Sequence, residues 1–93
     1  MQPATDFDMP EGGLPLPTVD STGDDLLRMG ILYSTGQGGA PFDLVSAHML
    51  FNLAAMRGCE AARERRRELS AEMDRDSVAE AQRAARQWLA RAA

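Results

Sequence analysis

All five prolines of this 93-residue chain lie before residue 42, and four of them (Pro3, Pro10, Pro15 and Pro17) fall within the first 17 positions. Proline has no amide hydrogen and its ring clashes with the preceding helical turn, so it bars the interior of a helix. The chain beyond Pro41 is therefore free to be helical throughout, and the first part is not. Gly12 and Gly13 stand among the early prolines, where periodic apolar residues are nearly lacking. Residues 1–22 read as a disordered acidic arm. Phe7, Met9, Leu14, Leu16 and Val19 are its few apolar points, which makes it a plain leader or a short docking motif.

Helix signals begin at residue 22. Thr22 with Asp25 three residues on is a variant of the capping box, and Gly36 is placed to end the helix. Between them Leu26, Leu27, Gly30, Ile31 and Tyr33 form an apolar face. Asp43 caps a second helix over 44–57, where Leu44, Ala47, Leu50, Phe51, Ala54 and Ala55 recur at three- and four-residue steps. Gly58 follows as a C′ glycine. A third helix runs from Glu60 to Met73 with a thin apolar stripe (Ala61, Ala62, Leu69, Met73) and pairs such as Glu64 with Arg67. Ser77 and Glu80 make an S-x-x-E box that opens a fourth helix with Val78, Ala81, Ala85, Trp88 and Leu89 on one face. The expectation is an all-α domain over 23–93, of four helices in two antiparallel α/α hairpins, 23–58 and 59–91, with Trp88 closing the fourth helix on the third. Gly30 inside a helix costs about 1 kcal/mol relative to Ala. A close helix crossing against the small surface of Ala47, Ala54 and Ala55 would offset that cost.

These residues resemble a known family. Leu27, Met29, Gly30, Tyr33, Gly36 and Gly38, followed by Asp43, Ala47, Phe51, Ala54, Ala55, Gly58 and Ala62, are similar to the Sel1-like repeat, a relative of the tetratricopeptide repeat. The phrase from Ala47 to Gly58, AHMLFNLAAMRG, looks like the second-helix half of that repeat, and the likeness covers residues 26–62. Leu50 stands where the family has Trp, and Phe42 is an addition in the loop. Arg66 and Arg67 stand where a second repeat would need Leu-Gly, so the last two helices look like a cap on a helical-hairpin repeat (solenoid) fragment. The resemblance implies a scaffold or adaptor that binds another protein or peptide and carries no chemistry of its own.

Charge and chemistry agree with a binding role. The chain carries −4 overall, with −6 on residues 1–56 and +2 on 57–93, and its ten cations are all Arg. That balance argues against nucleic acid and anionic membranes as general partners. A single Cys and a single His exclude a disulfide framework or a zinc cluster within one chain and fit a reducing, cytoplasmic setting. No apolar run reaches the roughly 20 residues of a membrane span, and the first residues lack the basic start and apolar stretch expected of a signal peptide. His48 and Cys59 lie about 16 Å apart along a continuous helix at 1.5 Å per residue, too far to act as base and nucleophile. Gly36-Gln37-Gly38-Gly39 lacks the flanking strand and G-K-[ST] of a phosphate loop. No catalytic, cofactor or metal residue is assigned. The partner surface is expected at Tyr33, Phe42, His48 and Asn52, with Arg63 and Arg67 as a second patch suited to an acidic partner, or to the acidic arm itself. Met29, Met49, Met56 and Met73 could add an adaptable face. The final Ala-Ala resembles a bacterial degradation tag. Two readings compete with the adaptor: a small-ligand or enzymatic helical domain, and nucleic-acid binding through the Arg-rich third helix; for Trp88 the alternative to core packing is a homodimer or partner contact.

Overall fold

The computed structural model describes residues 16–92, and these form four helices with no strand: α1 (Gly23–Thr35), α2 (Leu44–Met56), α3 (Glu60–Glu72) and α4 (Arg75–Ala92). The local signals account for most boundaries. Thr22 accepts a hydrogen bond from the Asp25 amide at 3.0 Å, and Asp25 accepts one from the Thr22 amide at 3.1 Å, so the capping box is complete. Gly36 leaves α1 in the left-handed region at φ 72°. Asp43 caps α2 by accepting from the Ser46 amide at 3.1 Å. At the other end of α2 the Cys59 amide donates to Ala54 and the Gly58 amide to Ala55, with Gly58 at φ 89°. This paired arrangement is a Schellman motif, which turns the chain sharply into α3.

The start of α4 departs from the expectation. Asp74, not Ser77, is its cap: the Asp74 carboxylate accepts from the Ser77 amide at 2.7 Å and its carbonyl from the Val78 amide at 3.1 Å. Ser and Asp are comparable caps, and the earlier residue wins because α3 ends at Glu72 with Met73 as its C-cap, which leaves Asp74 directly before α4.

The helices are arranged around α2. It packs against α1, α3 and α4, whereas α3 and α4 barely meet. Trp88 and Leu89 lie half-buried against the core, and the helix that carries them packs on α2. Seven of the thirteen residues of α2 are buried, spread around most of its circumference. A helix that is apolar nearly all round is the inner helix of its fold. The core it anchors includes Leu26, Met29, Leu50, Phe51, Leu53 and Leu69.

Gly30 does mark a tight place, and the atoms nearest to it belong to the Phe51 ring. A Cβ at Gly30 would fall 2.5 Å from Phe51 Cε1 and 2.7 Å from Cδ1. The missing side chain thus makes room for a buried ring. The Ala54 backbone is approached instead by Gly23, where a Cβ would lie 3.4 Å from the Ala54 carbonyl oxygen and 3.2 Å from Cys59 Cβ.

Most of the arm expected over 1–22 lies outside the described residues; its last part is built into the domain. The Ser21 amide donates to the Thr18 carbonyl at 3.0 Å, closing a turn, and Ser21 is buried. Arg57, just past α2, holds that turn by donating to the Val19 carbonyl at 3.0 Å and the Ser21 carbonyl at 2.7 Å.

Candidate functional site

The six residues expected to form one partner surface separate into three groups. Tyr33 and His48 are core residues, 6% and 1% exposed. Tyr33 shares the inward face of α1 with Leu26, Met29 and Gly30, and burial followed by the nearby Asp43 charge raises its phenol pKa. His48 is covered because α2 has helices on three sides. The all-round apolar composition of α2 is the sequence signal that points to this burial, and a one-face reading of the helix misses it. Asn52 is half-buried, while Phe42, Arg63 and Arg67 are exposed.

His48 and Asn52 belong to a chain of hydrogen bonds between α2 and α3. His48 Nε2 lies 2.7 Å from Ser70 Oγ, Asn52 Nδ2 lies 3.1 Å from His48 Nδ1, and Arg66 Nη1 donates to Asn52 Oδ1 at 2.9 Å. The side-chain types and their order invite comparison with a Ser–His–Asn catalytic set. The direction of the bonds decides otherwise. Arg66 has only donors, so it fixes the Asn52 amide with its oxygen toward the guanidinium and its NH2 toward His48. His48 Nδ1 must then accept, and the proton of the neutral ring sits on Nε2, which donates to Ser70. A base that would activate Ser70 needs a free lone pair on that nitrogen. Burial, reinforced by the Arg66 charge, holds the His48 pKa below its ordinary value and keeps the ring neutral. The arrangement is a satisfied polar tie between two helices. Ser70 and Arg66 were not among the residues expected from the sequence, and a partner 22 positions away leaves no local pattern to find it by.

Arg66 also breaks up the basic run of α3. It turns inward to Asn52, while Arg63, Arg65 and Arg67 point outward and Arg67 pairs with Glu64 at 3.3 Å. That pair is exposed on both sides and adds little stability.

The surface feature that stands out is Phe42, 68% exposed on the loop from α1 to α2. Gly36, Gly38 and Gly39 all have positive φ, and this winding carries the loop back so that the Asp43 amide donates to the Tyr33 carbonyl at 3.0 Å. Phe42 projects between the two anchored ends of that loop. Two hollows flank it. One, of about 220 Å³, is lined by Leu44, Phe51 and Leu69 with Arg65, Glu68 and Glu72. The other, of about 340 Å³, is lined by Leu44, Val45 and Met73 with Asp43, Glu72 and Asp74. Phe42, Leu44 and Glu72 line both, so the two hollows adjoin.

Among the described residues no group of three or more His, Cys, Asp or Glu is placed to hold a metal ion. No helix among them is long and apolar enough to cross a membrane. No family model, curated protein or solved structure matches the chain.

Proposed function

We propose that the chain is a non-enzymatic protein-interaction module, a small adaptor or regulator, built as a Sel1-like helical hairpin followed by two capping helices. One observation carries the functional reading: a large aromatic residue, Phe42, is exposed between two adjoining hollows with apolar floors. An exposed aromatic costs solubility, and aromatic side chains are enriched at the centres of protein interfaces. The hydrogen-bond direction at His48 and Ser70 favours a binding role over hydrolytic chemistry, because it leaves no activated nucleophile there. The repeat assignment rests on the residue pattern from Leu27 to Ala62, and the α1–α2 hairpin is compatible with it. The slight contact between α3 and α4 bears on the cap: those two helices are held to α2 separately rather than as a self-contained pair.

The test is co-purification from a lysate of cells that express the chain, quantified against resin alone. A partner retained in stoichiometric amount supports the reading. If the wild-type chain retains nothing above the resin control, the interaction role is withdrawn.

A further inference from the structure

The two hollows beside Phe42 combine an apolar floor with an acidic rim. Leu44 lies under both, with Phe51 and Leu69 on one side and Met73 on the other. Around them stand four carboxylates, Asp43, Glu68, Glu72 and Asp74, against the single cation Arg65. Asp43 and Asp74 already cap helices, yet accepting an amide proton leaves their negative charge in place. The Asp74 pKa is lowered by its bonds from Ser77, so it stays ionised at neutral pH.

Charge decides what can lie there. Residues 1–15 of the chain itself contain Asp6, Asp8 and Glu11 and no Arg, so their sign repeats that of the rim. A second copy docked through the same groove would set its own four carboxylates against these. A basic segment is the complement, and electrostatic complementarity at a rim governs both orientation and association rate. Each hollow has the size for an apolar side chain or two, and both are open to solvent rather than enclosing a ligand. We propose that this groove docks a basic peptide segment of a partner protein, with one apolar anchor on each side of the Phe42 ring and Lys or Arg residues over the four carboxylates. The proposal rests on the interaction-module reading and narrows it to one surface and one partner chemistry.

The experiment uses the full chain and two pools of fluorescent 12-residue synthetic peptides. Both pools carry two Leu anchors at varied spacing, flanked by Lys and Arg in one pool and by Asp and Glu in the other. Fluorescence polarisation is expected to show the basic pool bound at least ~10-fold more tightly than the acidic pool at low salt. Phe42→Ala is expected to weaken that binding about 10-fold or more, as truncation of a central aromatic anchor does. A paired Glu68→Arg/Glu72→Arg variant is expected to weaken it similarly, and Arg83→Glu on the exposed side of α4 not at all. Phe42, Glu68 and Glu72 are exposed, so circular dichroism melts of these variants should match the wild type. Failure of the basic pool to bind, preference for the acidic pool, or indifference to Phe42 and the two Glu positions would each overturn the proposal. A dimer in sedimentation that Phe42→Ala dissociates would assign the groove to a second copy and overturn it. Binding that appears only after residues 1–15 are deleted would assign it to the chain's own segment, with the same consequence. If a partner co-purifies with the chain while these peptide results fail, the groove assignment falls and the interaction role stands.

Discussion

Replacing Gly30 by Ala sets two effects of opposite sign against each other. In an exposed helix the change is stabilising by about 1 kcal/mol, because glycine has the greater backbone entropy to lose. Here the new methyl would sit 2.5 Å from Phe51 Cε1, 2.7 Å from Cδ1 and 3.1 Å from Cζ. Carbon atoms in contact prefer about 3.5–4.0 Å, so the overlap is roughly 1 Å along the edge of the ring. Phe51 is 2% exposed, so its ring has no solvent to swing into. Either the ring leaves its rotamer or α1 and α2 move apart, and overpacking of this kind costs about 1–3 kcal/mol or more. With an overlap on this scale the cost falls at the upper end, for a net destabilisation of about 1–2 kcal/mol. In a domain of this size that corresponds to a melting temperature lower by roughly 5–15 °C. Circular dichroism melts and urea titrations of the wild type, Gly30→Ala, Phe51→Leu and the double variant form a complete cycle. The two substitutions should be coupled, with the double variant at least about 0.5 kcal/mol more stable than the sum of the singles predicts. A Gly30→Ala protein as stable as the wild type, or more so, would refute the reasoning, since propensity alone would then govern the site.

Other outcomes follow from the caps and the polar ties. Asp74→Ala should lower the melting temperature and speed amide exchange at Ser77, whereas Ser77→Ala should leave stability nearly unchanged; the reverse order would return the cap of α4 to Ser77. The folded His48 pKa lies below its unfolded value of about 6.5, so the folded protein binds fewer protons and the unfolded chain is favoured as pH falls. The stability associated with neutral His48 is full above about pH 6.5 and is lost as pH falls toward the folded pKa. Urea midpoints at about pH 7.5 and 5 should therefore diverge more in the wild type than in His48→Gln, and equal slopes in the two proteins would count against the buried neutral ring. Arg57→Ala removes both hydrogen bonds that tie the Thr18–Ser21 turn to the end of α2. Exchange of the Ser21 amide should rise at least about fivefold, as expected for losing roughly 1 kcal/mol of hydrogen bonding. Exchange as slow as in the wild type would show that the turn stands without Arg57.

The helices could be read from the chain because their signals are local. The Thr22–Asp25 box, the Asp43 cap and the turns at Gly36 and Gly58 each act within four residues of themselves, and all four are present in the fold. The cap of α4 was ambiguous for the same reason, since Asp74 and Ser77 are both competent and the choice depends on where the preceding helix ends. The candidate site was less accessible. Exposure of Tyr33 and His48 could not be judged from the face of one helix, because the number of neighbours around α2 is a property of the whole packing. Phe42 is the residue of the expected surface that stands exposed beside the hollows, and it lies in a glycine-bounded loop that the chain itself marks.

Sequence alone determined that the chain after Pro41 would be helical, where each helix would start and stop to within a few residues, and that Gly30 had to face something close. Caps, turns and periodicity are short-range, so their energies are settled before any helix meets another. Tertiary structure alone decided that α2 would be the shared partner of the other three helices, that Phe51 would fill the space at Gly30, and that Ser70 and Arg66 would satisfy His48 and Asn52. Each of these depends on which surfaces come together once the chain is compact, and residues separated by 14 to 22 positions carry no mark of one another until they do.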